Sequence, residues 1–184
     1  MGKTEPAQTI LLTGPKHTGK SLTGRALAAL GWAGFTDLDD YIRERTGKSP
    51  RNLYRESPAA FRQAEAAALG SLLRFPGPRI IATGGGLIDN PEAMELVCLS
   101  KARQTAILIY LEVPAELAWE RIEAAAKASG ELPPFLEGSC PRERHRALHE
   151  RRAAAYRAVA DILIPAAGSS AEDLARLIAD SLQS

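Results

Sequence analysis

An α/β fold, a three-layer sandwich with a five-stranded, mainly parallel sheet, is predicted by three observations. Five short strand-like runs alternate with helix-patterned segments along the chain, the order that builds parallel sheets covered by helices on both faces. The run Thr105 to Leu111 carries almost no polar position, as a strand buried on both sides requires. The run Ile10 to Leu12 leads into the glycine-bearing stretch GPKHTGKS, and a helical pattern follows at once.

The elements follow in order. Ser21 to Leu30 has apolar residues at helical spacing. GFTDLDD gives a short second strand, Gly34 to Thr36, ending in acids where a helix begins, and Tyr41 to Arg45 continues that helix. Ser57 is placed to cap a helix whose first position is Pro58, and the alanine-rich stretch Ala59 to Leu73 has high helix propensity. Arg79 to Ala82 is the third strand, followed by three glycines where a helix is otherwise expected. Pro91 to Leu99 is helical, Thr105 to Leu111 is the fourth strand, and Pro114 to Lys127 is helical again. Ala128 to Cys140 is a Gly- and Pro-containing loop, Pro141 to Ala160 a long basic helix, DILIP a final strand and Ala171 to Leu182 a closing helix.

With 184 residues the chain is long enough for one well-packed domain and short for two, so residues 1–184 are expected to form a single unit. A formal net charge of +1, with no basic patch interleaved with aromatics, argues against a nucleic-acid partner. Cys98 and Cys140 lack metal-like spacing and fit plain thiols in a reducing compartment. Met1 to Gln8 are polar, without the apolar core of a signal peptide, and no run reaches membrane-spanning length, so a cytoplasmic location with no membrane partner is expected. No long apolar stripe stands out as an interface, which favours a monomer.

The stretch from Gly14 to Ser21 fits G-x-x-x-x-G-K-[ST], the P-loop. Its backbone N–H groups and the helix N-terminus behind it suit an anion, Lys20 suits the β- and γ-phosphates, and the Ser21 hydroxyl suits Mg²⁺. The nucleotide set is then Gly14, Pro15, Lys16, His17, Thr18, Gly19, Lys20, Ser21 and Leu22, with the His17 side chain facing solvent rather than acting as ligand or base. Asp37 and Asp39 follow the second strand. One of them suits Mg²⁺ and the other a substrate hydroxyl; a plain helix cap is the alternative. Gly84, Gly85 and Gly86 leave main chain bare for a small ligand. Arg62 either pairs with Glu65 along a helix face or reaches a ligand, and Arg121 and Arg152 are equally ambiguous by spacing. Tyr156 and Trp119 suit packing.

Taken together, GPKHTGKS, DLDDYIRERTGKS, FRQAE, ATGGGLI, IYLEVP and RRAAAYRAVAD resemble the shikimate kinase family in order and spacing, over most of the chain. This is a family of P-loop kinases related in fold to the nucleoside monophosphate kinases. The resemblance implies ATP-dependent phosphorylation of a shikimate hydroxyl, with ATP and Mg²⁺ as cofactors and shikimate or an analogue as the small-molecule partner. It implies Lys20 on the phosphates, Ser21 and Asp37 at Mg²⁺, and Asp39 on the acceptor hydroxyls as catalytic base. Arg62 and Arg152 would hold the acceptor carboxylate, Gly84, Gly85 and Gly86 would line its pocket, and Arg121 would sit beside the adenine. A lid over about 128–141 is implied as well, and here the sequence departs. The family's lid arginine falls on Pro133, in ELPPFLEG. Loss of a transition-state arginine costs about 10³-fold or more in phosphoryl transfer, so Lys127, Arg142 and Arg144 are the compensating cations to consider. Two other readings remain open: a kinase of another carboxylated polyol, and a nucleotide-binding regulatory protein that transfers phosphate weakly or not at all.

Overall fold

Five strands form one sheet in the order β2-β3-β1-β4-β5, with every adjacent pair parallel. They are β1 (Thr9–Thr13), β2 (Gly34–Asp37), β3 (Arg79–Ala82), β4 (Ala106–Glu112) and β5 (Ile162–Pro165). The structure, a computed structural model, describes residues 8–183. The polar N-terminal stretch read as lacking a leader falls, apart from Gln8, outside them.

The register explains why the strands are apolar throughout. Leu11 stands opposite Ile81 on one side and Leu108 on the other, and all three face the same helical layer. Their neighbours Ile10, Leu12, Ile80 and Ile109 point to the opposite face. Helices α1 (Lys20–Ala29) and α8 (Ala171–Ser181) cover that second face with Leu27, Leu174 and Ile178. The first face is covered by α2 (Leu38–Thr46), α4 (Pro58–Leu73) and α5 (Pro91–Ala102), through Leu38, Ile42, Leu69, Leu72 and Val97. Each fully buried Leu or Ile contributes roughly 2 kcal/mol of transfer free energy, so both faces of the sheet must be covered for it to persist. No helix among the described residues is long and apolar enough to cross a membrane.

Three local features differ from the sequence expectation. A short helix, α3 (Pro50–Glu56), lies between α2 and α4; Ser49 caps it by accepting from the Asn52 N–H at 3.2 Å, with Pro50 at its start. Ser57 and Pro58 begin α4 in the same way, Ser57 Oγ accepting from the Ala60 N–H at 3.2 Å. Helix α6 (Ala115–Ser129) runs two residues past Lys127, to the left-handed Gly130 with φ of 76°. The connection from there to α7 (Pro141–Val159) is not wholly irregular, because Pro134–Leu136 form a 3-10 turn. A second such turn, Leu87–Asp89, follows the three glycines.

Because all strands run the same way, their carboxyl ends share one edge of the sheet. Ligands in sheets of this kind bind outside that edge, where the chain order reverses. Here β1 lies between β3 and β4, so the loops after β1, β2 and β3 open onto one crevice.

Candidate active site

The loop after β1 is shaped by two residues. Gly14 has a φ of 153°, and a Cβ there would lie 2.6 Å from the Leu111 carbonyl oxygen, so only glycine fits against β4. Gly19 precedes α1 at φ of 92°, and the first turn of α1 has neither a side-chain cap nor an acidic residue. Its N–H groups are left for an anion. Lys20 curls back over the loop, donating to the carbonyls of Gly14 at 2.9 Å and Pro15 at 2.8 Å. Burial pushes its pKa down to about 8, against the opposing pull of Asp39 and Asp37. Thr18 is buried and braces the turn by donating to the Pro15 carbonyl at 2.9 Å.

Asp37, the last residue of β2, does two things. Its Oδ1 accepts the N–H of Asp39 at 3.0 Å as the cap of α2, and its Oδ2 accepts the Ser21 hydroxyl at 2.5 Å. The cap reading therefore describes Asp37 correctly while leaving it beside the phosphate loop. The Asp39 side chain takes no part in capping and lines the cavity. Its carboxyl meets the cavity opening, yet the surrounding walls withhold enough solvent to raise its pKa; the neighbouring Asp37 raises it further and Lys20 opposes.

A cavity of about 410 Å³ joins these groups. Pro15, Lys16, His17, Lys20 and Ser21 of the phosphate loop line it together with Asp39, Arg62, Gly84, Gly85, Gly86 and Arg152, and Gly85 lies directly against the loop, where a Cβ would come 2.8 Å from the Gly14 carbonyl oxygen. His17 is an exposed loop residue with φ of 61°. Its carbonyl accepts from Arg121 Nη1 at 3.2 Å, which sets that arginine on the outer side of the phosphate loop. Leu22 points outward from α1, 61% exposed, and does not line the cavity.

Arg62 does not pair with Glu65. Its guanidinium makes no ion pair among the described residues and faces the cavity, while its main-chain carbonyl accepts from Asn90 Nδ2 at 2.8 Å. Glu65 is 1% exposed and accepts from the same Asn90 amide at 2.9 Å. Burial pushes its pKa up to about 7, the Asn90 hydrogen bond offsetting part of the rise. Arg152 is held by Asp89, its Nε 2.8 Å and its Nη2 2.7 Å from Oδ2, and lies over the Phe135 ring at 5.5 Å. Gly86 lies close beneath it, where a Cβ would stand 3.0 Å from Nη2 and press the guanidinium aside. Tyr156 packs as expected but also accepts the Ile88 N–H at 3.1 Å, fixing the turn that carries Asp89. Trp119 is buried in a small cluster with Ile122 and Leu136.

A family model described as shikimate kinase matches residues 17–183. The chain belongs to the shikimate kinase family. Among its relatives, the shikimate kinase of Halorhodospira halophila is 35% identical over 175 residues, covering 95% of this chain and 93% of that one. The shikimate kinase of Aromatoleum aromaticum is 33% identical, covering 95% and 94%. Among solved structures, shikimate kinase from Acinetobacter baumannii in complex with shikimate superposes with a TM-score of 0.83 at 30% identity, covering 97% of this chain and 94% of that one. A gluconokinase from Sinorhizobium meliloti, 17% identical with a TM-score of 0.64, shares the fold alone. The family's P-loop kinase architecture is the one described above. This chain is a kinase that transfers phosphate to a hydroxyl group.

Several cavity residues escaped the sequence reading. Glu65 was weighed only as a partner for Arg62, yet it shares one side of α4 with Phe61, Leu69 and Leu72, a position where an acid signals a site rather than a surface. Asp89, His145 and His149 also line the cavity. Burial pushes the pKa of His145 down to about 4, and that of His149 down as well, so both rings are neutral at physiological pH. Arg51, from α3, lines the cavity too. The three cations considered in place of a lid arginine do not line the cavity: Lys127 pairs with Glu123 at 3.2 Å, Arg142 with Glu116 at 2.6 Å, and Arg144 donates to the Glu137 carbonyl.

Proposed function

We propose that the protein transfers the γ-phosphoryl group of ATP to a ring hydroxyl of shikimate, giving shikimate 3-phosphate and ADP. The observation that carries the reading is the meeting of Asp39, Arg62 and Arg152 beside Lys20 in one cavity. A carboxylate-bearing alcohol suits that cavity, because two guanidinium groups stand across from an acid whose raised pKa favours taking a proton.

The geometry and the family resemblance support the following roles. Loop N–H groups and the N-terminus of α1 hold the phosphates, and Lys20 leaves the carbonyls of Gly14 and Pro15 to meet them, regaining its full charge as it does so. Arg62 and Arg152 grip the acceptor carboxylate, with Gly84, Gly85 and Gly86 as the floor. Asp39 accepts the hydroxyl proton as that oxygen bonds to the γ-phosphorus and the bond to the ADP oxygen breaks. Little covalent chemistry is asked of the protein; alignment and charge neutralisation do most of it. The Ser21 hydroxyl and Asp37 carboxylate form a hard-oxygen pair that fits Mg²⁺ and would hold it beside the phosphate loop. When bound, the ion neutralises phosphate charge. Arg121 flanks the adenine, and residues 128–141 act as the lid of a single domain spanning residues 1–184. The protein acts as a cytoplasmic monomer in aromatic amino acid biosynthesis.

The test is ADP release from Mg²⁺-ATP by the purified protein, with and without shikimate. Shikimate-dependent turnover is expected. Acceleration by another polyol acid but not by shikimate overturns the acceptor, and tight ATP binding without any acceptor effect overturns the kinase reading.

A further inference from the structure

The roof of the cavity is tied to α3 by contacts that phosphoryl transfer itself does not need. Between α6 and α7, residues 130–140 contain two carboxylates, Glu131 and Glu137, and no lysine or arginine. Pro133, Pro134 and Phe135 nonetheless close over the cavity. An acidic segment descending on a phosphate site is repelled by its ligand unless its charge is met elsewhere. Arg51 and Arg55, about one turn apart on α3, meet it. Arg51 Nη2 lies 3.0 Å from the Glu131 carboxylate and donates to the Leu132 carbonyl. Arg55 lies 2.9 Å from Glu137 and 3.6 Å from Glu131. On the opposite side Leu132, Phe135 and Leu136 pack against Trp119 and Ile122. The segment is therefore held by apolar packing on α6 and by two guanidinium groups from α3.

We propose that Arg51 is the positioning residue that docks residues 130–140 onto α3, and that making and breaking its tie to Glu131 and Leu132 closes and opens the acceptor side of the cavity. The kinetic part of this proposal rests on the kinase reading above; the docking itself does not. The tie is suited to repeated opening. The side chains of Arg51 and Glu131 are 32% and 50% exposed, and pairs that exposed hold weakly one at a time. Arg51 Nε is buried with no acceptor, which offsets part of what Nη2 gains. Arg51 also stands near enough to Lys16 for its charge to help lower that pKa, after desolvation and against Asp39. Arg51 thus stands between the roof and the phosphate loop, with the roof's Glu131 on its Nη2.

Trp119 reports the docked state directly. It is 8% exposed and packed against Leu136, and Trp32→Phe leaves it the sole tryptophan. Acrylamide quenching of Trp119, without substrate, is measured in that background for Arg51→Glu, Glu131→Arg and the two combined. Each single change is expected to raise the quenching constant about twofold or more, as local opening becomes easier. The combined variant, which restores an opposite pair, returns most of the way, a coupling of about fivefold in the docking equilibrium. With Mg²⁺-ATP and shikimate, the single variants lose about tenfold in kcat/KM for the acceptor, while KM for ATP stays within about twofold; the combined variant recovers. Arg51→Lys, keeping charge without the forked geometry, falls between. Unchanged quenching, or single effects that simply add in the combined variant, overturns the proposal. A failure of kinase activity with the quenching pattern intact overturns the kinase reading and leaves the docking standing.

Discussion

Replacing Glu65 by glutamine removes a buried acid while keeping its shape, and the structure sets both the size and the pH window of the effect. The carboxyl is 1% exposed, and its pKa is pushed from 4.5 to about 7, by desolvation first and then by Asp39, against the Asn90 hydrogen bond. In the unfolded chain the group ionises near its ordinary value. Below pH 4.5 both states hold the proton and Glu65 has no pH-dependent effect. Between pH 4.5 and 7 the unfolded state ionises first, so folding loses stability as pH rises. Above pH 7 the loss is complete. At 1.36 kcal/mol for each pKa unit, it amounts to about 3 kcal/mol. Urea unfolding of wild type and Glu65→Gln at pH 4.5 and pH 8.5 measures it. The variant should gain about 3 kcal/mol on the wild type between the two pH values, about 6–12 °C in Tm for a chain of this length. Parallel stability curves would show that Glu65 titrates normally in the folded protein. The burial argument for this side of the acceptor pocket would then fail.

The other predictions concern the reaction. Asp39→Asn should lower kcat by about 10²–10⁴-fold while leaving ATP affinity, read by calorimetry, nearly unchanged; persistent turnover removes Asp39 as the base. Arg152→Ala should raise KM for shikimate by about 10–100-fold with little change in KM for ATP, because a charge-assisted pair to the acceptor is lost; equal losses in both would argue against its acceptor role. Lys20, with a pKa of about 8 in the free protein, should gain charge on meeting the triphosphate. ATP binding at pH 8 should therefore take up about half a proton, seen as a buffer-dependent calorimetric enthalpy, and the uptake should fade below pH 7. Uptake that does not change between pH 6 and 8 would place the linked group elsewhere.

How much of this was readable beforehand depends on whether a residue's signal was local. Ser57-Pro58 fixed the start of α4 because both the cap and the missing N–H act within one turn. Ser49-Pro50 obeys the same rule and opens α3, but with only seven residues that helix has too little periodicity to stand out between α2 and α4. Strand boundaries were legible to within a residue or so, since a parallel sheet buried on both faces leaves nearly unbroken apolar runs. The strand order was not, because four parallel pairings are made by residues far apart in the chain.

The site divides along the same line. The phosphate loop announces itself through spacing, since it acts through main chain next to it in sequence; Asp37 and Asp39 stand out as a pair, but spacing does not separate their roles, because the contact of Asp37 with Ser21 spans sixteen residues. Arg51 does not stand out: nothing within α3 distinguishes it from a solvated arginine. Its role is set by Glu131 and Leu132, about eighty residues later, at the far end of α6. A proline at 133 likewise looks like a lost function when the lid is considered alone. Viewed across the cavity, it belongs to a segment whose charges are met by another helix, and the question moves from whether the roof carries a cation to what holds it down. Lys127, Arg142 and Arg144 are nearer in the chain, but each is engaged here with an acid or a carbonyl and none lines the cavity. With Glu131 3.0 Å from its guanidinium, Arg51 has much of its charge met by the roof's own acid, so what it supplies is a hold on the segment rather than a free cation in the field of the cleft.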